Sequence, residues 1–175
     1  MMAGNHIIYI IGFMGSGKTT AGKKLATLLS WSFIDLDKKI EEHTAKTIPE
    51  IFSQNGETYF REIETKLLRN LKSGYNTIIS TGGGTPCHSD NMAFMLETGM
   101  TIYLQMTPGE LKSRLSESKG ERPLIKDLDQ NELLHFIEQM LAEREKWYSK
   151  SDIIIKGIDL DMSLLLSFVK SGLNI

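Results

Sequence analysis

Short apolar runs rich in β-branched and aromatic residues recur along the chain and predict buried strands. They span residues 7–11, 33–35, 77–80, 100–104 and 153–155. The stretches between them carry apolar residues three and four positions apart, such as Ile63, Leu67 and Leu71, which is the spacing of one helix face. Strands that alternate with helices form βαβ units. The pattern therefore predicts an α/β fold with a parallel sheet covered by helices on both faces.

Helix boundaries and one irregular segment add detail to this pattern. Thr47 followed by Pro49 and Glu50 is typical of a capped helix start, and Pro108 predicts the start of another helix. Polar residues, glycine and proline cluster within residues 116–127, between two helical stretches. We expect a mobile loop there, with a plain surface connection as the alternative.

The composition is that of one ordinary globular domain spanning residues 1–175. Hydrophobic residues at 41% and charged residues at 24% match this class, and a content of only four prolines argues against a disordered or low-complexity chain. Twenty basic and 22 acidic side chains give a net charge of −2, so no overall field attracts nucleic acid or an anionic membrane. Any anionic ligand must be bound by local groups.

Neither the first apolar run nor the cysteine content indicates export or anchoring. Residues 7–11 are too few to cross a bilayer and follow no basic segment, unlike the core of a signal peptide. The single cysteine, Cys87, cannot form an intramolecular disulfide, which suits a reducing compartment. We interpret it as a small buried hydrophobe and not as a reactive thiol. We expect a cytoplasmic monomer.

Residues 12–19, Gly-Phe-Met-Gly-Ser-Gly-Lys-Thr, follow the first strand directly and precede a helical pattern. This is the Walker A arrangement, in which the glycines let successive amides point at phosphate oxygens at the start of a helix. Lys18 would reach the β and γ phosphates, and the Thr19 hydroxyl would bind Mg²⁺. The alternative, a glycine turn beside a surface lysine, does not explain the strand and helix on either side. We assign ATP binding to Gly15, Ser16, Gly17, Lys18, Thr19 and Thr20.

A P-loop alone does not distinguish kinases from switches, motors and other nucleotide-binding proteins. GTPases that recognise guanine usually carry an Asn-Lys-x-Asp element, and this sequence has none. A G-protein switch is therefore not expected, and the acceptor side must be argued from other residues.

Asp35 and Asp37 lie at the end of the second strand, where side chains two residues apart point to the same side of an extended backbone. Ligands of open α/β sheets bind beyond the carboxyl ends of the strands, which is also where the P-loop lies. We assign Asp37 to the acceptor hydroxyl, as a base or orienting group, and Asp35 to the metal side, through water. A helix cap with a solvated neighbour is the alternative.

Three glycines follow the third strand, and two arginines are candidates for binding a carboxylate. Gly82, Gly83 and Gly84 leave the backbone without side chains, so a substrate could lie against bare amides, although a flexible turn is the alternative. Arg61 and Arg144 each carry a planar guanidinium that can bind a carboxylate through two parallel hydrogen bonds. Either arginine alone would be read as a surface residue.

An ordered set of strings resembles the shikimate kinase family over almost the whole chain. The strings are Gly12-x-x-Gly15-x-Gly17-Lys18-Thr19, Asp35-x-Asp37, Ile51-Phe52-x-x-x-Gly56-Glu57-x-x-Phe60-Arg61-x-x-Glu64, Ser80-x-Gly82-Gly83-Gly84 and Arg122-Pro123-Leu124. Only the P-loop is strongly specific alone, but their order leaves little room for another kinase.

The resemblance implies a fold like that of nucleoside monophosphate kinases, with a five-stranded parallel sheet. It also implies transfer of the γ-phosphoryl group of MgATP to the 3-hydroxyl of shikimate, on the route to chorismate and aromatic amino acids. Residues of about 35–64 would bind shikimate and the loop of about 116–127 would act as a lid. The resemblance implies that Asp37 binds the hydroxyls of shikimate, that Arg61 and Arg144 bind its carboxylate, and that Gly82, Gly83 and Gly84 line its ring.

The resemblance also assigns two arginines to ATP. Arg122 would reach the phosphates and act in catalysis after the lid closes and excludes water. Arg114 would pack on adenine, with a plain surface role as the alternative. The alternative functions are a kinase of gluconate or of a nucleotide, and a nucleotide-binding module without turnover.

Overall fold

The structure is a computed structural model that describes residues 6–71, 76–117, 125 and 128–175. The five predicted strands are all present, each within one residue of its expected bounds. They are β1 (Ile7–Ile11), β2 (Ser32–Asp35), β3 (Thr77–Ser80), β4 (Met100–Gln105) and β5 (Ile153–Lys156). The helices are α1 (Lys18–Leu29), α2 (Leu36–Thr44), α3 (Ile48–Asn70), α4 (Asn91–Thr98), α5 (Pro108–Glu117), α6 (Gln130–Tyr148) and α7 (Met162–Leu173), with a short 3₁₀ helix at Thr85–Cys87.

All strand pairings are parallel, and the strands lie in the order β2-β3-β1-β4-β5. The central strand β1 is apolar throughout and buried over its last four residues, as expected for a strand with helices on both faces. The edge strands β2 and β5 are only partly buried. The α/β fold with a five-stranded parallel sheet is therefore confirmed.

Alternation along β1 divides the core into two layers. Ile8 and Ile10 point to one face, where they pack with residues of α1 and α7. Tyr9 and Ile11 point to the other face, where the larger cluster includes residues of α2, α3, α4, α5 and α6. The sheet is thus held from both sides and gives a rigid base to the loops at its carboxyl edge.

Local sequence signals set several helix boundaries. Thr47 and Glu50 form a capping box at the start of α3, with Pro49 in the first turn, as predicted. Helix α3 is kinked at Gly56, where φ is 81° and ψ is 172°. Helix α5 begins at Pro108, as predicted.

The predicted loop 116–127 is only partly described. Ser116 and Glu117 belong to α5, so the helix runs two residues further than the sequence pattern indicated. Ile125 packs against the larger core cluster. The other residues of this segment lie outside the described part of the chain. Among the described helices, none is both long and apolar enough to cross a membrane.

The register brings three strand ends together. Ser80, the last residue of β3, is paired with Asp35 of β2 on one side and with Ile10 of β1 on the other. The connections that leave β1, β2 and β3 therefore start side by side. This carboxyl edge holds the candidate site, as expected for an open α/β sheet.

Candidate active site

The P-loop links β1 to α1 through a tight turn. Gly15 and Gly17 have φ values of 82° and 91°, a region that favours glycine, and the Ser16 amide donates to the Phe13 carbonyl at 3.2 Å. Gly17 is the N-cap residue of α1 and has no side chain to occupy the first-turn amides, and that turn contains no acidic residue. The positive end of α1 therefore faces the cleft as an anion site.

Lys18 and Thr19 begin α1 and line the cleft beside this loop. The Lys18 ammonium donates to the Phe13 carbonyl at 2.9 Å, so the side chain folds back along the loop. Burial raises the pKa of Asp37, and the charge of Lys18 opposes this by lowering it, so the two groups interact across the cleft.

Three oxygen-bearing side chains meet where α1 passes the ends of β2 and β3. The Thr19 hydroxyl donates to Asp35 Oδ2 at 2.9 Å and lies 3.4 Å from Ser80 Oγ. Hard oxygen ligands of this kind suit Mg²⁺. Ser80 was not predicted as a site residue, although it is the last residue of a strand at the carboxyl edge, where such a ligand is expected.

The expected geometry of the two aspartates is wrong in one respect. The extended backbone ends at Asp35, and Leu36 already begins α2, so Asp35 and Asp37 are not two side chains on one face of a strand. Asp35 is also the helix cap, because its Oδ1 accepts from the Lys38 amide at 3.4 Å. Asp37, in the first turn of α2, still lines the same cleft.

The environment of Asp37 makes its ionisation costly. Its pKa is raised to about 6, chiefly by burial, and the nearby carboxylates of Glu64, Asp35 and Glu41 also raise it while the charge of Lys18 lowers it. A carboxyl group with a pKa near 6 is mostly ionised at neutral pH and can still accept a proton readily. These are properties suited to a general base.

Arg61 extends from α3 to the glycine segment after β3. Its guanidinium contacts Glu57 Oε1 through Nε and Nη2 at 3.2 and 2.9 Å, and Glu64 Oε2 through Nη1 at 3.2 Å. A Cβ atom on Gly84 would come within 2.7 Å of Arg61 Nη2, so a side chain at that position would displace the guanidinium. The Arg61 side chain is 17% exposed, which leaves part of it open to the cleft.

Glu64 is a site residue that was not predicted, although it lies in one of the family strings. It is fully buried, accepts a hydrogen bond from the Thr85 hydroxyl as well as from Arg61, and lines the cleft. Burial raises its pKa. Its spacing of three residues from Arg61 on one helix was the available signal, since such pairs lie on the same face.

Arg144 reaches the same glycine segment from α6. It lies in the last turns of α6, with its guanidinium 5.3 Å from the centroid of the Phe13 ring in the P-loop. A Cβ atom on Gly83 would lie 3.2 Å from Arg144 Nη1. The structure therefore brings both predicted arginines and all three glycines, Gly82 included, into one cleft of about 600 Å³ with Lys18 and Asp37.

Arg114 belongs to a second cleft on the other side of the P-loop. Its guanidinium donates to the carbonyls of Ser16 and Gly157, each at 3.4 Å. Thr20 lines both clefts, so they adjoin. The second cleft also contains residues of the connection between β5 and α7, which no sequence motif indicated. Arg122, predicted at the lid, lies outside the described residues.

A Walker A loop on a sheet of this order binds a nucleotide, and the half of the cleft beyond it offers a carboxylate and two guanidinium groups to a second molecule. The protein is therefore of the class of P-loop kinases that phosphorylate small molecules. A sequence model of the family described as shikimate kinase matches residues 14–165. The chain belongs to the shikimate kinase family, and the predicted ATP-dependent kinase is confirmed.

Similar proteins cover nearly the whole chain. The shikimate kinase of Phocaeicola vulgatus is 43% identical over 154 residues, which are 88% of this chain and 88% of the relative. The crystal structure of the shikimate kinase of Bacteroides thetaiotaomicron has a TM-score of 0.89 at 38% identity and covers 97% of this chain and 99% of that one. The Acinetobacter baumannii enzyme in complex with shikimate has a TM-score of 0.84 at 32% identity, covering 98% and 95%. The resemblance inferred from the ordered strings is thus confirmed.

Proposed function

We propose that the protein transfers the γ-phosphoryl group of ATP to the 3-hydroxyl of shikimate, giving shikimate 3-phosphate and ADP on the route to chorismate and aromatic amino acids. One observation carries the proposal: two guanidinium groups lie against a glycine segment in the cleft that also contains Asp37 and the P-loop. Shikimate is a small ring with a carboxylate at one end and hydroxyls at the other, and this cleft offers cations and a carboxylate for those two ends.

ATP binding is assigned to the P-loop and the cleft behind it. The loop amides and the positive end of α1 bind the phosphates, and Lys18 moves from the Phe13 carbonyl to the β and γ phosphates. Arg114 lies beside Ser16 and Gly157, so we assign the adenine to the second cleft. The ATP contacts proposed are Gly15, Ser16, Gly17, Lys18, Thr19, Thr20 and Arg114.

The oxygens of Thr19, Asp35 and Ser80 fit a hydrated Mg²⁺. Thr19 would ligate the ion directly and Asp35 through water. When bound, Mg²⁺ neutralises charge on the β and γ phosphates.

The acceptor is oriented from both ends. Arg61 and Arg144 bind the carboxylate, Gly82, Gly83 and Gly84 border the ring, and Asp37 accepts the proton of the 3-hydroxyl. The acceptor oxygen forms its bond to the γ phosphorus while the bond to the β–γ bridging oxygen breaks, and ADP leaves with the electron pair of that bond. Lys18 and Arg122 stabilise the charge that develops on the transferred group.

A closing lid and a monomeric, cytoplasmic protein complete the proposed function. The segment of about 116–127 closes as a lid, which brings Arg122 to the phosphates and excludes water as a competing acceptor. The protein acts as a monomer in the cytoplasm, which sedimentation velocity and cell fractionation test directly.

A panel assay tests the substrate. MgATP is supplied with shikimate, quinate, gluconate or a nucleoside monophosphate, and ADP release and the phosphorylated product are measured. We expect kcat/KM to be highest for shikimate by a wide margin. A preference for gluconate or for a nucleotide would contradict the acceptor assignment. If none of the four acceptors supported ADP release, the protein would be a binding module without turnover.

A further inference from the structure

The end of α6 contributes two neighbouring groups to one glycine. The Tyr148 hydroxyl donates a hydrogen bond to the Gly83 carbonyl. Arg144, one helical turn earlier, lies beside the same residue, since its Nη1 would be 3.2 Å from a Cβ atom on Gly83. Gly83 lines the proposed acceptor cleft, whereas Tyr148 is fully buried behind it.

The Tyr148 ring is held firmly in its place. It packs against the Tyr103 ring of β4, with 5.0 Å between the ring centroids and 45° between the planes. The Tyr103 hydroxyl in turn donates to Glu145 Oε2 at 3.0 Å, which ties α6 to the strand. Burial raises the pKa of Tyr148 above its ordinary value, so the phenol keeps its proton and remains a donor.

Three consecutive glycines give the peptide between Gly83 and Gly84 two accessible orientations, since neither residue has a Cβ to restrict it. In a planar trans peptide the carbonyl oxygen and the N–H point in opposite directions. A hydrogen bond from Tyr148 to the Gly83 oxygen therefore also sets the direction of the Gly84 N–H. That N–H is turned away from the buried tyrosine.

We propose that Tyr148 is a positioning residue for the acceptor, an inference that rests on the function proposed above. Its hydroxyl holds the peptide after Gly83 in one orientation, so that the Gly84 N–H and the Arg144 guanidinium are directed together at the carboxylate of the substrate. Tyr148 touches neither substrate, and its effect is confined to the acceptor side. The ATP side of the cleft, bound by the P-loop, does not depend on it.

Two matched variants test this positioning. Tyr148→Phe and Tyr103→Phe each delete one buried phenol oxygen and keep the ring, but only the first releases the Gly83 carbonyl. Steady-state rates are measured with shikimate and ATP varied independently. For Tyr148→Phe we expect the KM for shikimate to rise about tenfold, the size of one lost hydrogen bond, while the KM for ATP and kcat change by less than about threefold. For Tyr103→Phe we expect both KM values to stay within about twofold of the original.

Other results overturn the proposal. An unchanged KM for shikimate in Tyr148→Phe, an equal rise in both KM values, or the same rise in Tyr103→Phe would mean that the phenol only supports the core. If the native chain phosphorylates shikimate and Tyr148→Phe has the same kinetic constants as the native chain, only the positioning role fails. If the native chain does not phosphorylate shikimate, both proposals fail. Should Tyr148→Phe unfold at the assay temperature, calorimetric titration with shikimate at low temperature, with the fold checked by circular dichroism, replaces the kinetic comparison.

Discussion

Replacing Asp37 by asparagine should remove turnover and, at the same time, stabilise the fold in a pH-dependent way. The carboxylate is the proposed base, so its amide cannot accept the proton of the acceptor. Burial has raised the pKa of Asp37 from 3.8 to about 6, which means that the folded protein resists the ionised form. An asparagine of nearly the same shape carries no charge at any pH and is free of that cost.

The size of the effect follows from the pKa difference. A shift of about two units corresponds to about 3 kcal/mol between a fully protonated and a fully ionised group. Because the folded pKa is raised, the native protein binds more protons than the unfolded chain between about pH 4 and pH 6, and its stability falls as the pH rises through that window. At pH 5 the folded carboxyl is still mostly protonated while the unfolded one is mostly ionised. About 1 kcal/mol of the total loss of stability therefore occurs between pH 5 and pH 8.

Urea denaturation without substrates measures this directly. The free energy of unfolding of Asp37→Asn minus that of the native chain should increase by about 1 kcal/mol from pH 5 to pH 8, with a shift in the melting-temperature difference of about 2–4 °C. Glu42→Gln is a matched control, since it removes one negative charge from the same helix. Glu42 is exposed and pairs with Lys39, and such surface pairs contribute little.

The reasoning is refuted by a difference that stays constant over this pH range, or by one that decreases from pH 5 to pH 8. Either result would mean that the folded protein does not disfavour ionised Asp37. An equal pH dependence in Glu42→Gln would assign the effect to overall charge and not to the cleft.

Three further variants separate the roles of the cationic side chains. Lys18→Ala should lower kcat by at least about 100-fold while the protein stays folded, because the charge beside the transferred group is lost; near-normal turnover would contradict its role. Arg61→Ala should raise the KM for shikimate about 100-fold and leave the KM for ATP unchanged, whereas Arg69→Ala on the same helix should change neither. A rise confined to the KM for ATP in Arg61→Ala would mean that the acceptor lies elsewhere. Arg114→Ala should raise the KM for ATP about tenfold and spare that for shikimate; the opposite pattern would remove the adenine from the second cleft.

The sequence predicted the elements whose signals are local. Strands β1 and β3 consist largely of β-branched residues and are almost entirely buried because both of their faces are covered, so neither strand resembles a helix face. The turn between β1 and α1 needs glycine for its positive φ values, which leaves a visible motif. The helix cap at Thr47 is likewise indicated by local residues, namely Thr47, Pro49 and Glu50.

The misjudged position within the site was the boundary after β2. Asp35-Leu36-Asp37 fits both an alternating strand and the start of a helix, because aspartate is favoured at an N-cap and Leu36 is buried in either case. The deciding signal was Ile40, four residues after Leu36 and buried on the same face of α2. Even so, the predicted neighbourhood of the two carboxylates holds, since both side chains line the cleft.

The contacts that the sequence could not give are those between distant segments. Glu64 and Thr85 are 21 residues apart, and Tyr148 lies 65 residues from Gly83. A buried glutamate on a helix looks like any charged residue until the fold surrounds it, and a tyrosine near a helix end looks like core. Their roles depend on which helix packs behind the glycine segment, which is a property of the tertiary arrangement.

The charge balance in the cleft bears on why a metal ion and a lid arginine are proposed in addition to the residues that line it. Among the described residues that line it, the carboxylates of Asp35, Asp37 and Glu64 are matched in number by the cations of Lys18, Arg61 and Arg144. Binding a triphosphate and a carboxylate adds negative charge beside Asp37, and like charges raise the pKa of an acid. With a pKa already near 6, such a rise would hold a proton on the proposed base at neutral pH. Added cations would lower that pKa again, and this is the electrostatic argument for the proposed metal ion at Thr19 and the proposed lid arginine acting together with Asp37.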